Sequence, residues 1–262
     1  MEITINGARL HYERAGSGMP LFLLHAGIAD SRMWQAQVEA FSKDFDVIAP
    51  DQRGFGHSEL PASRWSEVAD LLAIMDALEL KPAHMVGCSY GSSLAMDFAL
   101  DHPERVSRVV LVGPSINGAE LGKKYTEVFA EVRAAEQAHD LVALNNAEMK
   151  LFLVGPTRSL DKIDQRLRNL FLDMNGRNLV VDWGSAPTDD LNPPAFARLG
   201  EIRAPTLVIV GDADIPPVLE AAEILVTSVP GARKAVIHDA AHLPNLEHPE
   251  QFNRLVLDFL KS

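Results

Sequence analysis

The sequence predicts an α/β protein with a mostly parallel, twisted sheet flanked by helices. Mostly apolar runs at residues 21–25, 45–50 and 204–211 are typical of parallel strands that are covered on both faces. Helical patterns separate such runs at the spacing of right-handed β-α-β units. A chain of 262 residues is long for one average domain, but it suits a single α/β domain with an insertion.

Composition is that of a globular protein. Hydrophobic residues make up 47% of the chain, which is enough for a large core. The net charge of −12 and the lack of a basic run argue against nucleic acid and anionic membranes as partners. A single cysteine excludes an internal disulfide and suits a reducing compartment. Because neither a signal segment nor an apolar run of about 20 residues is found, we expect a cytoplasmic location.

Strands and helices alternate along the first part of the chain. The predicted elements are a β-hairpin of residues 2–5 and 9–14 around Asn6-Gly7, a strand at 21–25, a helix at 32–41, a strand at 45–50, a helix at 66–80, a strand at 83–86, a helix at 92–100 and a strand at 106–112.

The alternation stops after Pro114 and resumes near residue 204. Residues 121–138, 140–154 and 160–174 each have a helical pattern, and no strand is predicted among them. Such a stretch predicts a helical cap that folds over the sheet edge, although ordinary surface helices would give the same pattern. A strand at 204–211, a helix at 218–228, a strand at 234–238 and a helix from 249 follow. We therefore predict one α/β core, residues 1–114 and 196–262, with a cap at residues 115–195.

The pentapeptide Gly87-Cys88-Ser89-Tyr90-Gly91 lies between a buried strand and a buried helix. Strand, G-x-S-x-G and helix together predict a nucleophile elbow, in which a serine occupies a sharp, strained turn. The two glycines remove side chains that would collide as the helix folds back over the strand. Ser89 is therefore the candidate nucleophile. The alternative is a glycine-rich turn that contains a serine by chance.

A serine nucleophile needs a base, and the base needs an orienting acid, later in the chain. Two carboxylates, Asp212 and Asp214, follow the strand at 204–211. Asp214 lies further into the loop and can reach a neighbouring loop, whereas Asp212 is expected to brace the turn. After the last strand, His242 lies on a loop among small residues and is the candidate base. His238 is still in the strand and is expected to be structural.

The oxyanion of an acyl-transfer reaction needs two backbone donors. One is expected from the N–H of Tyr90, the residue after the nucleophile, and the other from Gly27 in the loop after the strand at 21–25. Candidate walls of the acyl pocket, each of which ordinary core packing would explain equally well, are Ile28, Met33, Tyr90, Trp183 and Leu243.

These motifs together resemble the α/β-hydrolase superfamily over nearly the whole chain. Leu24-His25-Ala26-Gly27 resembles its His-Gly oxyanion segment, and residues 51–58, DQRGFGHS, resemble its Asp-x-Arg-Gly-x-Gly-x-Ser loop. Residues 211–214 are similar to its Gly-x-x-Asp acid segment, and residues 241–249 to its base segment. Ala26 departs from the glycine usual in the family. The tail and the cap are more loosely similar to the 3-oxoadipate enol-lactonase and small-esterase group.

The resemblance implies an α/β-hydrolase fold and a hydrolase that acts on a small molecule. Because the nucleophile position holds Ser89 and not a carboxylate, we expect an acyl-enzyme formed from a carboxylic ester or lactone. The alternatives are carbon–carbon bond hydrolysis or perhydrolysis on the same triad, and a non-catalytic ligand receptor on the same fold. No metal and no cofactor are expected, because neither a zinc-ligand spacing nor a G-x-G-x-x-G motif is found. The oligomeric state is left open.

Overall fold

The computed structural model describes residues 1–60, 64–181, 189 and 191–262. Eight strands form one sheet in the order β1-β2-β4-β3-β5-β6-β7-β8. The strands are β1 (Glu2–Ile5), β2 (Ala8–Gly16), β3 (Met19–Leu24), β4 (Phe45–Pro50), β5 (Ala83–Cys88), β6 (Val106–Val112), β7 (Thr206–Gly211) and β8 (Arg233–Ile237). Of the seven pairs that these strands form, β1–β2 and β2–β4 are antiparallel and the other five are parallel. The predicted mostly parallel α/β sheet is confirmed.

Helices cover both faces of this sheet. They are α1 (Gln35–Phe41), α2 (Glu67–Ala77), α3 (Tyr90–Asp101), α4 (Leu121–Lys124), α5 (Ala130–Gln137), α6 (Leu141–Glu148), α7 (Gln165–Asn178), α8 (Pro216–Ser228), α9 (Pro244–Glu247) and α10 (Pro249–Leu260). Along β3, Phe22 and Leu24 belong to one hydrophobic cluster, whereas Leu21 and Leu23 belong to the other. Alternate side chains of a strand point to opposite faces, so the sheet is buried on both sides.

The helical segment between β6 and β7 is more broken than its sequence pattern predicts. The single helix predicted at 121–138 is wrong: it divides into α4, a 3₁₀ turn at Thr126–Phe129, and α5. The break falls at Tyr125, whose hydroxyl donates to Glu220 of α8, as does the neighbouring Lys124. These contacts hold the chain in a bend that local helix propensity does not favour.

The predicted helix at 140–154 also changes character before its end. It is regular in α6 and then widens to a π-helix over Met149–Val154. Gly155 ends it at φ +79°, and a side chain there would collide with the carbonyl oxygen of Ala213. The π-helical turn is therefore packed directly on the loop after β7, and π-helical turns are frequent at functional sites.

Loops that follow the parallel strands all emerge at one edge of the sheet, where ligands bind in open α/β sheets. The loops after β3, β5, β6, β7 and β8 bring Gly27, Ser89, Gly113, Asp214 and His242 to this edge. Within the described ranges, no helix is both long and apolar enough to cross a membrane.

Candidate active site

Ser89 occupies a strained turn between β5 and α3. Its φ of 51° and ψ of −113° lie outside the regions that a residue with a side chain normally adopts. A side chain at Gly87 would collide with the carbonyl of Gly91, and one at Gly91 would collide with the carbonyl of Leu24. Glycine is therefore required at both positions, because the helix starts against the two neighbouring strands.

Hydrogen bonds fix the backbone of Ser89 on both sides. Its N–H donates to the carbonyl of Val112 in β6 over 2.9 Å. Its carbonyl oxygen accepts the backbone N–H of Ser92 and of Ser93 at 2.8 and 3.1 Å. The hydroxyls of Ser92 and Ser115 donate to the same oxygen at 2.6 and 3.2 Å. The strained turn is thus held by five hydrogen bonds, two of them from hydroxyls that sequence reasoning did not identify.

His242 and Asp214 form a buried pair across the loops after β8 and β7. The imidazole Nδ1 lies 2.9 Å from Asp214 Oδ2 and 3.1 Å from Oδ1. The side chains are only 2% and 0% exposed. Asp214 Oδ1 also accepts the N–H of Ile215 at 2.7 Å, which orients the carboxylate. Because a carboxylate can only accept, Nδ1 carries the proton and leaves Nε2 as the basic nitrogen.

The other aspartate of this loop has a different partner. Asp212 Oδ2 lies 2.8 Å from Nδ1 of His238, and its Oδ1 accepts the N–H of Asp239 at 2.8 Å. Burial raises the pKa of Asp212, but these hydrogen bonds outweigh it and the net pKa is lowered. The structure therefore places Asp212 as a brace between the ends of β7 and β8, away from His242.

Three observations place His242 beside the elbow. A Cβ on Gly113, the residue after β6, would lie 3.0 Å from His242 Nδ1. The Sγ of Cys88, adjacent to Ser89, lies 3.7 Å from the His242 carbonyl oxygen. The Ser89 N–H is hydrogen-bonded to the carbonyl of Val112, which precedes Gly113, so the imidazole and the serine lie close together. Burial, with the nearby Asp214 charge, raises the pKa of Cys88, so this cysteine stays a neutral thiol.

The helical segment holds the loop that carries His242. The carbonyl of Phe152 accepts the His242 N–H at 3.0 Å, and the two rings lie 5.0 Å apart. Arg158 pairs with the buried Glu247 at 2.6 Å, and the other oxygen of Glu247 accepts the Ala241 N–H at 2.8 Å. Burial raises the pKa of Glu247, while the Ala241 hydrogen bond and the Arg158 charge oppose that shift. The loop is thus tied to the π-helical turn on both sides of the imidazole.

Residues Ala26–Ala29, which we name the oxyanion turn, lie opposite the elbow. The N–H of Ala29 donates to the carbonyl of Ala26 at 3.0 Å and closes the turn. A Cβ on Gly27 would lie 3.5 Å from Tyr90 Cβ. The two residues that carry the candidate oxyanion donors therefore lie side by side. The N–H of Ala26 instead donates to Met33 Sδ at 3.3 Å and is therefore engaged elsewhere.

His25 fixes the direction of the Gly27 N–H. The backbone N–H of Gln52 donates to His25 Nε2 at 2.9 Å, so His25 Nδ1 carries the proton and donates to the Ala26 carbonyl at 2.9 Å. In the trans peptide between Ala26 and Gly27, the N–H points opposite to this carbonyl. Burial lowers the pKa of His25, which keeps the ring in the neutral form that this bond requires.

The candidate pocket walls fall into three groups. Ile28 and Tyr90 are half-buried beside the elbow, and the Tyr90 ring lies 5.6 Å from that of Phe55. Met33 and Leu243 are fully buried, and the sulfur of Met33 supports the oxyanion turn. Trp183 lies outside the described residues.

This edge of the sheet supplies a hydroxyl on a strained turn, an imidazole oriented by a carboxylate, and backbone donors. These are the groups that acyl transfer to water needs. Among residues 1–60, 64–181, 189 and 191–262, no group of three or more His, Cys, Asp or Glu is placed to hold a metal ion. Fold and site together are those of a hydrolase.

The chain belongs to the alpha/beta hydrolase fold family, whose model matches residues 19–249. The resemblance inferred from the five sequence motifs is therefore confirmed. Over 275 residues the chain is 33% identical to the 2-hydroxymuconate semialdehyde hydrolase of Pseudomonas putida, covering 99% of this chain and 93% of that protein. It is 28% identical to a carboxylesterase of Bacillus subtilis, in an alignment that covers 92% of this chain and 79% of that protein.

Solved structures with the same fold include two lactone-cleaving proteins. The enol-lactonase from Burkholderia xenovorans superposes with a TM-score of 0.78 at 25% identity, covering 100% of both chains. Est816, described as an N-acyl homoserine lactone degrading enzyme, superposes with a TM-score of 0.81 at 25% identity, covering 99% of this chain and 100% of its own. The similar proteins thus include a semialdehyde hydrolase, a carboxylesterase and two proteins named for lactones.

Proposed function

We propose that this protein is a serine hydrolase that cleaves a small carboxylic ester or lactone through an acyl-enzyme. The observation that carries this proposal is the buried Asp214–His242 pair next to the strained Ser89 elbow. Strain at a residue other than glycine is retained only where surrounding structure enforces it, and it is concentrated at functional sites. Five hydrogen bonds enforce it here.

The first half of the reaction forms the acyl-enzyme. His242 Nε2 takes the proton of the Ser89 hydroxyl as Oγ attacks the substrate carbonyl carbon, and Asp214 stabilises the resulting imidazolium. The negative charge that develops on the carbonyl oxygen is held by the N–H groups of Gly27 and Tyr90. The tetrahedral intermediate then collapses, the carbon–oxygen bond to the alcohol breaks, and His242 donates its proton to the leaving alkoxide.

The second half releases the acid. His242 takes a proton from water, the hydroxide oxygen attacks the acyl carbon, and the proton returns to Ser89 Oγ as the ester bond to the enzyme breaks. In a lactone the leaving alkoxide stays attached to the acyl group, so a single hydroxy acid is the product. The chemistry uses the same three side chains in both halves.

Residues 115–195 are proposed to form a cap over this site. The described part of this segment contacts the base loop through Phe152 and Arg158, and the acid loop through Gly155. The acyl group would lie between the sheet edge and this segment, against Ile28, Tyr90 and Phe152. These walls are apolar, which favours an uncharged aliphatic acyl group of small or medium size.

Hydrolysis of a carbon–carbon bond is the second candidate, because the 33% identical relative from Pseudomonas putida is named for a semialdehyde substrate. In that reaction the departing group is a carbanion, a poorer leaving group than an alkoxide, which needs stabilisation in addition to the groups used for an ester. Ester and lactone hydrolysis need only the groups already present at the site, so they are proposed first.

The test compares wild-type protein with Ser89→Ala on three substrate types. p-Nitrophenyl acetate, butyrate and octanoate report ester cleavage, an enol-lactone reports lactonase activity, and a vinylogous diketone reports C–C cleavage. We expect esters or the lactone to have the highest kcat/KM, with activity abolished in Ser89→Ala. A higher kcat/KM on the diketone would replace the first candidate with the second, and a Ser89→Ala variant with wild-type rates would overturn both.

A further inference from the structure

Asn178, the last residue of α7, contacts the oxyanion turn from the helical segment. Its side-chain Nδ2 lies 2.9 Å from the carbonyl oxygen of Ala29 and 3.5 Å from that of Gly27. Only 5% of the residue is exposed. A buried amide that donates to backbone carbonyls of the turn restricts the conformation of the turn, because these hydrogen bonds tie it to α7.

The turn is therefore held from two opposite sides. On the core side, His25 Nδ1 donates to the carbonyl of Ala26, the first residue of the turn. On the side of the helical segment, Asn178 donates to the carbonyl of Ala29, the last residue. Because the carbonyls at both ends of the turn are fixed, the Gly27 N–H is held in one orientation.

Helix α7 is itself fixed to the core near this contact. Asp173 of α7 pairs with Arg32, which follows the oxyanion turn and also pairs with Asp30 at 2.7 Å. One turn before Asn178, the buried Asn175 donates to Glu148 of α6 at 2.6 Å. Asn178 is consequently presented to the oxyanion turn by a helix that polar contacts join both to Arg32 and to α6.

We propose that Asn178 is a positioning residue for the oxyanion hole, acting through the Ala26–Ala29 turn that carries the Gly27 donor. The proposal rests on the function proposed above. Loss of the Asn178 amide releases the Ala29 carbonyl, so that the Gly27 N–H is less well directed at the developing oxyanion. Since this interaction is strongest in the transition state, kcat falls while KM changes little.

Two variants of Asn178 and one matched control test this role. Asn178→Ala removes the amide, and Asn178→Asp keeps its shape but replaces the donor by an acceptor facing two carbonyl oxygens. The control is Asn146→Ala, because Asn146 of α6 also donates its amide to a backbone carbonyl, that of Val142, at 2.7 Å, but within its own helix. All three are measured with p-nitrophenyl butyrate and with a fluorophosphonate that must place its P=O oxygen in the oxyanion hole.

Losing a whole oxyanion donor typically lowers kcat by about 10²–10³-fold, so losing a support for it is expected to lower kcat by about 10-fold. We expect Asn178→Ala to show this fall with KM within about 3-fold of wild type, Asn178→Asp to fall further, and fluorophosphonate labelling to slow in parallel. Asn146→Ala is expected to keep the wild-type kcat. Equal kcat in Asn178→Ala and wild type, or an equal fall in Asn146→Ala, would overturn the proposal.

Hydrogen exchange separates a failure of this inference from a failure of the proposed function. The Ala29 N–H, which closes the turn, is expected to exchange faster in Asn178→Ala than in wild type, and to be unchanged in Asn146→Ala. If wild-type protein neither cleaves the esters nor reacts with the fluorophosphonate, the proposed function fails while exchange still decides whether Asn178 holds the turn. Unchanged exchange of the Ala29 N–H would reject the role of Asn178 in either case.

Discussion

Two Asp–His pairs on the same two loops have almost the same geometry and opposite surroundings. Nδ1 lies 2.9 Å from the carboxylate in the Asp214–His242 pair and 2.8 Å in the Asp212–His238 pair. The first pair is 2% and 0% exposed at the histidine and aspartate side chains, whereas the second is 82% and 41% exposed. Residue types and distance alone therefore do not identify a catalytic pair.

Position and burial distinguish them. Water screens an exposed ion pair, which typically contributes between about 0 and 1 kcal/mol to stability. In a site closed to water the same interaction is stronger, and the carboxylate can hold one ring orientation and stabilise the imidazolium. His242 also contacts Gly113 and Phe152 next to the elbow, while His238 faces solvent. The exposed pair is an internal control for the buried one.

The largest expected effect comes from removing either member of the buried pair. In His242→Ala no base remains for Ser89, and in Asp214→Asn the ring can adopt the wrong tautomer. We expect kcat on p-nitrophenyl butyrate to fall by about 10³-fold or more in each. Their effects should not multiply in the double variant, because the residues act as a unit. A variant of either residue within about 10-fold of the wild-type kcat would contradict this assignment.

A smaller effect is expected from crowding the buried ring without removing it. In Gly113→Ala the added Cβ would lie 3.0 Å from His242 Nδ1, at a residue whose φ is +47°. The ring must shift, so we expect kcat to fall by about 10- to 100-fold, since small displacements of reacting groups have effects of this size. The matched control is Gly231→Ala, where φ is also positive, at +71°, but no atom lies within 4 Å. Equal rates in the two variants would show that the contact with His242 has no consequence.

Several elements could be predicted from sequence because their signals are local. The strands at 45–50 and 106–112 have the predicted bounds, since these mostly apolar runs end at Pro50 and at Gly113-Pro114. The choice of Asp214 over Asp212 came from position in the loop, and the structure places Asp214 against the histidine. Fold class and superfamily were predictable for the same reason: each motif directly follows a strand.

The supports of the site could not be predicted. Asn178 lies 149 residues from Ala29 in the chain, and Arg158 lies 89 residues from Glu247. Nothing in the local sequence of a polar residue on a helix tells whether it faces solvent or a distant loop. The break at Tyr125 has the same origin, because it depends on Glu220 of α8. Long-range polar contacts, and not secondary structure, were the missing information.

His84, a buried histidine that belongs to neither Asp–His pair, is expected to make the free energy of unfolding depend on pH. Burial, with the nearby Arg108 charge, lowers the pKa of His84 to about 4. Because the unfolded chain binds this proton near pH 6.5, the free energy of unfolding should fall as the pH drops from about 6.5 towards 4. His84→Phe is expected to reduce the difference in unfolding free energy between pH 7.5 and pH 5, measured by urea denaturation. An unchanged difference would contradict this account of His84.

The smallest effect is expected from the exposed pair. In His238→Ala and Asp212→Asn we expect kcat and KM within about 2-fold of wild type, and an unfolding free energy changed by about 1 kcal/mol or less. The comparison is sharpest when these variants are measured beside His242→Ala and Asp214→Asn in one series. A fall in kcat for His238→Ala similar to that for His242→Ala would show that the two pairs are functionally equivalent after all.

The most direct test of the central claim is the site and stoichiometry of covalent labelling by a fluorophosphonate. Mass spectrometry of intact wild-type protein and of its peptides reports how many groups bind and on which residue. We expect one group per chain on Ser89, no labelling in Ser89→Ala, labelling slowed by about 10³-fold in His242→Ala, and unchanged labelling in His238→Ala. Labelling of a different residue, or equal rates in the two histidine variants, would contradict the account.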